Sequence, residues 1–210
     1  AAPVESRAGV ERALVFVMPA AVLLAVAAEG SWASGTASLA CGALLLLRQS
    51  RWQPWLSRDQ PIVWILHAGH AWLGAGFLCQ GLAALTGVFP ASTALHALSA
   101  GALGTSIIGV MSRVSLGHSG REIEAGPAIT CAYLLVILAG LVRVFGPFAL
   151  PAAYDLTIVV AGCCWAAGFG LFALTSFGLL ARPRADGQPG RRRASSTRAR
   201  NGSRPTFGRS

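Results

Sequence analysis

Six apolar runs, at 13–28, 32–47, 61–85, 93–112, 127–144 and 154–180, follow one another with only short polar breaks between them. This alternation constrains the fold more than any single motif. A soluble core of this size explains one or two wholly apolar helices, but not six in succession. Charged residues make up 12% of the chain against 54% hydrophobic, and they keep almost entirely out of the runs. Segments of this length and composition read as membrane-crossing helices. The expected fold is therefore all-α, a polytopic transmembrane helix bundle of about six spans over residues 1–181. The first two runs are short, so their helices are expected to tilt little or to lie partly in the interface. Pro61 opens the third run, where a proline suits a first helical turn.

Arginine placement orients such a bundle. All 17 basic residues are arginines. Assigning the breaks to alternate sides puts Arg7, Arg12, Arg48, Arg51, Arg58, Arg113, Arg121 and the nine arginines of the tail on one side, and Arg143 alone on the other. The positive-inside rule then makes the side that holds both termini cytoplasmic. The tail at 182–210 is rich in Arg, Ser and Gly with almost no large apolar residues. It is expected to be disordered, and as a juxtamembrane basic segment it suits anionic lipid head groups rather than nucleic acid. Residues 1–12 carry neither a signal-peptide nor a transit-peptide pattern, and they read as a loop between spans of a longer chain.

The stretch 92–121 joins an apolar segment to most of the reactive chemistry. His96 lies near one end of it and Arg113 at the other. Between them Ala97, Gly101, Thr105 and Gly109 recur every four residues, with Ala100 and Gly104 forming a second small row. Such a groove predicts close packing against another helix. The residues that follow, 113–121, read as a short polar hook carrying His118 and Arg121.

The third run holds His67 and His70, three residues apart and so on one helix face, inside the membrane. Ionisable groups at that depth are costly and usually face a cavity, a partner or a ligand. Imidazole is a ligand for haem iron and copper. The plainer alternative is a pair of neutral rings hydrogen-bonded to backbone carbonyls. Two histidines of one helix cannot reach opposite faces of one haem, so a second span would have to contribute, with His96 as the intramembrane candidate. Helical rise nevertheless puts His96 about 12 Å from the level of His70, which suggests two sites or a site completed elsewhere. Arg113, at the cytoplasmic end, could pair with a carboxylate such as a haem propionate, or simply anchor the helix at the interface. His118 is read either as a further ligand or as a solvated loop residue.

Cys41, Cys79, Cys131, Cys163 and Cys164 all fall within the runs and make no CxxC pair, so they read as small apolar filler. No hydrolase or nucleotide-binding signature occurs.

Three blocks then stand in order: WILHAGHAWL at 64–73; ALHAL at 94–98 with Gly101 and Gly104; and SRVSLGHSGR at 112–121. They are followed by RPRADG at 182–187. Together they resemble successive signatures of the NnrS family over about 60–190. The resemblance implies a bacterial inner-membrane protein that contains haem and copper and is linked to nitric oxide metabolism and protection against nitrosative stress. It implies that this chain is roughly the C-terminal half of a protein of about twelve spans. His67, His96 and His118 match the family's recurrent histidines as candidate metal ligands, and Arg113 and Arg121 match its recurrent arginines as candidate cofactor-binding residues. His70 departs, since an aromatic residue is more usual there, but it is kept as a candidate ligand. The histidine-rich signature of the family's first half is absent, so the cofactors are expected to call on those missing spans. Two other readings of the residues stay open: a transporter or channel whose histidines relay protons, and a non-catalytic membrane subunit supporting a partner.

Overall fold

The computed structural model describes residues 7–183 and 185, which form a helical bundle without strands. Six helices follow in chain order: α1 (Ala8–Ala27), α2 (Trp32–Ser50), α3 (Pro61–Thr86), α4 (Ala91–His118), α5 (Pro127–Ala149) and α6 (Tyr154–Leu180). Single 3₁₀ turns at Pro54–Ser57 and Pro151–Ala153 lead into α3 and α6. Local chemistry sets the ends. Ser31 caps α2 by accepting from the Ser34 N–H at 3.1 Å. Pro61 and Pro127 occupy first-turn positions, where the missing N–H has no partner to lose. Gly87 closes α3 at φ +65°, a conformation that a side chain would strain.

Among the described residues, five helical segments are long and apolar enough to cross a membrane, namely Ala8–Ala27, Pro61–Thr86, Ala91–His118, Pro127–Ala149 and Pro151–Leu180. The helix over the second apolar run, α2, is 19 residues long but more polar, and it buries Ser34, Ser38 and Gln49. The fourth run differs from the expected 93–112 at its far end. What looked like a polar hook from Arg113 is still helix through His118, because Ser115 and Leu116 are buried and no residue breaks the helix before Gly120, at φ +68°. Of the tail at 182–210, Arg182, Pro183 and Ala185 are among the described residues, and the expectation of disorder concerns residues outside them. The Ala185 N–H donates to the Ser119 carbonyl at 3.0 Å.

Small residues determine how the helices meet. A methyl group placed on Gly42 of α2 would lie 2.7 Å from the Gly74 carbonyl oxygen of α3, and one on Gly81 would lie 2.8 Å from the Gly35 carbonyl oxygen. The groove foreseen on α4 packs against α3: Ala97, Gly101, Thr105 and Gly109 are all buried, with Gly101 against Trp72 and Gly109 against Ile65 and Leu66. Within α4 the segment Ala97–Leu103 widens to a π-helical turn, a form that occurs mostly as a single-turn bulge inside α-helices. The Trp72 ring lies beside this turn, facing Gly101 of α4 and Gly140 of α5. One indole thus touches three helices. A larger core of Ile65, Ile108, Ile129, Tyr133, Val136 and Phe172 joins α3 to α6, while Leu14, Cys41, Leu45 and Phe77 join α1 to α3.

This packing gives a direct test. A methyl on Gly101 would come within 2.6 Å of the Trp72 ring. We expect Gly101→Ala to destabilise the detergent-solubilised protein by about 1–3 kcal/mol through overpacking. Gly117→Ala, with open space around the new methyl, should stay within about 0.5 kcal/mol of the parent. Thermal unfolding followed by circular dichroism separates the two.

Candidate functional site

His67 and His70 lie one helical turn apart on α3, facing the end of α2 and the turn beyond it. Trp52 brings them into one group. Its ring centroid is 4.7 Å from that of His70 and 6.0 Å from that of His67. Arg48, one turn earlier in the chain, places its guanidinium 5.0 Å from the Trp52 ring centre and donates through Nε to Glu11 of α1 at 2.7 Å. A continuous chain therefore runs from a carboxylate through a guanidinium and an indole to two imidazoles. The Glu11–Arg48 pair is about one-third exposed on each side, so solvent weakens it as a source of stability, and its main effect is positional.

Hydrogen bonds fix the same group from below. The Gln49 side-chain amide donates to the His67 carbonyl at 2.8 Å, binding α2 to α3. His70 Nε2 lies 3.3 Å from the Leu45 carbonyl oxygen. A carbonyl only accepts, so in this contact Nε2 carries the proton and Nδ1 keeps the lone pair. For His70 the structure thus shows the plainer alternative, a ring bonded to a backbone carbonyl, and it leaves one nitrogen for other use.

His96 stands apart. Contacts of Trp72 with Gly101, Gly69 with Ser106, and Ile65 with Gly109 set an antiparallel register between α3 and α4. That register puts His96 beside α3 about eight residues beyond His70, a separation of about 12 Å along the axis, as helical rise alone suggested. Its partner is Arg143 of α5, whose Nη2 lies 2.6 Å from His96 Nε2. A guanidinium has no acceptor, so Arg143 donates and His96 is the neutral Nδ1–H tautomer with its Nε2 lone pair occupied. The arginine that stands alone in the sequence count is therefore half of a cross-span pair.

Of the other expected residues, Arg113 and His118 lie in the last turns of α4 and Arg121 just beyond it. Arg113 and His118 are exposed. Arg121 donates from Nη1 to the Leu179 carbonyl at 3.1 Å, satisfying an orphan acceptor in the last turn of α6. Its backbone N–H closes on the Leu116 carbonyl at 3.2 Å. This arginine ties two helix ends together. No group of three or more His, Cys, Asp or Glu side chains placed to hold a metal ion occurs among the described residues. Sequence reasoning passed over Trp52, Gln49 and Arg143. Only the isolation of Arg143 was a visible signal, since the other two join the site through tertiary contact.

The His96–Arg143 contact makes a quantitative expectation. Removing one partner leaves the other with an unmet polar group between helices, so Arg143→Leu and His96→Leu should each cost about 1–3 kcal/mol. The double variant should cost less than the sum by about 1 kcal/mol, measured as a double-mutant cycle from denaturation in detergent micelles. Strict additivity would remove the hydrogen bond from the account.

A family model described as NnrS protein matches residues 1–184, which covers the whole bundle. No curated protein and no solved structure matches the chain. The match runs from the first helix through all four histidines and past the loop that carries Arg121, and on this ground the chain belongs to the NnrS family.

Proposed function

We propose that the chain is a multi-pass membrane unit of nitric oxide metabolism or of protection against nitrosative stress, placed in a bacterial inner membrane with both ends on the cytoplasmic side. The observation that carries this reading is the family match across the entire apolar bundle. Orientation is supported by the antiparallel succession of helices, which gathers Arg7, Arg12, Arg48, Arg51, Arg58, Arg113 and Arg121 at one end and leaves Arg143 near the other.

Haem and copper belong to this reading through the family resemblance. Among the described residues, no set of side chains closes a site for either group by itself. The one adjacent pair of imidazoles, His67 and His70, is covered by the Trp52 ring, His96 Nε2 accepts from Arg143, and His118 is the last residue of α4. A macrocycle has no two imidazoles facing one another here. We therefore assign to this chain a contribution through His67 and the Nδ1 of His70, with the remaining ligands supplied from outside the described residues. Arg113, exposed at the end of α4, is the candidate partner for a propionate, and Arg121 acts as a tie between α4 and α6.

The test is spectroscopic. Purified from bacterial membranes in mild detergent together with whatever supplies the remaining ligands, the protein should show a haem Soret band and bound copper. His67→Ala or His70→Ala should lower one of these at least several-fold, whereas His96→Ala should act mainly on stability through the loss of its Arg143 partner. Protein that is colourless and free of copper would exclude the reading.

A further inference from the structure

At the end of the bundle opposite the Glu11–Arg48 pair, a cavity of about 510 Å³ lies between α1, α2, α3 and α4. Pockets of this size between the helices of a bundle suit an organic ligand rather than a few waters. Glu29 stands at its rim in the turn after α1, and Ser92 in the first turn of α4. Gln80 of α3 and Leu98 of α4 line it about 10 Å further in, by helical rise from the ends of those helices. Ser34 of α2 lines it too, although that residue is only 2% exposed. Apart from Glu29, Ser34, Gln80 and Ser92 the lining is alanine, glycine and leucine, so among the described residues no basic group faces the cavity.

The polar lining has bonds left to make. Glu29 pairs with no arginine among the described residues, and the side chains of Ser34 and Gln80 make no hydrogen bond among them. One turn further in on the same face of α2, the fully buried Ser38 hydroxyl is likewise without a partner among the described residues. An amide withdrawn from water costs free energy unless it is bonded, so Gln80 at this depth calls for a ligand with polar atoms of its own. Leu95, at the edge of the cavity, is 63% exposed, so the cavity opens toward the lipid as well as toward the interface. These features ask for an amphiphile: a cation at the rim, acceptors at the level of the neutral donors, and an apolar body against the alanines.

We propose that this cavity binds one zwitterionic aminophospholipid of the surrounding bilayer by its head group. The primary ammonium donates to the Glu29 carboxylate, a charge-assisted bond with three N–H groups available. The phosphate and ester oxygens accept from the hydroxyls of Ser34 and Ser92 and from the Gln80 amide, and one acyl chain lies along the alanines of α3 and α4. Charge decides the head group. An anionic head group finds a carboxylate at the rim and no arginine to answer it, whereas a choline head group carries its charge without an N–H to donate. Such a lipid bridges the ends of four helices. This site stands independently of any haem or copper.

The experiment places the full chain in nanodiscs of equal parts phosphatidylethanolamine, phosphatidylcholine and phosphatidylglycerol, releases it, and counts the lipids it retains by native mass spectrometry. We expect about one tightly held phosphatidylethanolamine per chain, preferred at least about fivefold over each of the other two. Glu29→Gln should abolish that preference, and Gln80→Leu should weaken retention several-fold. Asp155→Asn should change neither, since that carboxylate is in the first turn of α6 and outside the cavity lining. Glycerophosphoethanolamine, the head group without its chains, should not displace the lipid. Equal retention of the three lipids overturns the proposal, as does a preference that survives Glu29→Gln or is lost equally in Asp155→Asn. Displacement by the soluble head group overturns it as well, because the ligand would then come from solution. Should Gln80→Leu fail to fold, Glu29→Gln decides, since Glu29 is an exposed turn residue with no partner among the described residues to lose.

Discussion

Close approach of helix backbones through small residues is the constraint on which the rest of this bundle depends. In lipid no apolar solvent force drives one helix onto another, so association rests on contact and on internal polar pairing. Glycines at 35, 42, 74 and 81 let α2 and α3 come together, and those at 69, 76, 101 and 109 do the same for α3 and α4. Trp72 then lies against Gly101 and Gly140, so that α3, α4 and α5 share one indole. The register set by these contacts is what keeps His96 two turns away from His70.

Polar groups within this apolar frame are handled in pairs that cross between helices. His96 meets Arg143, Gln49 meets the His67 carbonyl, and Glu11 meets Arg48. Arg121 meets the end of α6. Each pair joins two elements far apart in sequence, so each holds the bundle together as well as answering the cost of burying polar atoms. A few groups remain unanswered: the hydroxyls of Ser38, Thr105 and Ser176 and the Gln49 side-chain oxygen are buried without a hydrogen-bond partner among the described residues. Thr105 is fully buried, on the helix that also carries His96 of the cross-span pair.

The histidines show how far a local pattern reaches. Their spacing on α3 correctly placed His67 and His70 on one face, because a helical turn is a local rule. Their depth relative to His96 was also legible, since rise per residue needs no knowledge of packing. Their neighbours were not. Trp52 lies in the turn between α2 and the 3₁₀ turn at Pro54–Ser57, and nothing local shows that its ring covers two imidazoles. The hook after Arg113 failed for a related reason: its polar residues suggested a loop, but Ser115 and Leu116 face the bundle, and burial there extends the helix to His118.

By itself, then, the order of residues determined the membrane class, the number of helices, the asymmetry of arginines and the small groove of α4. All of these follow from hydropathy and periodicity, which act within a segment. Only the tertiary structure decided that Arg143 serves His96, that Arg121 closes α6, and that Arg48 of α2 pairs with Glu11 of α1. Those outcomes depend on the rotation and height of one helix against another, and these emerge only when the interlocking surfaces of several helices are satisfied at once.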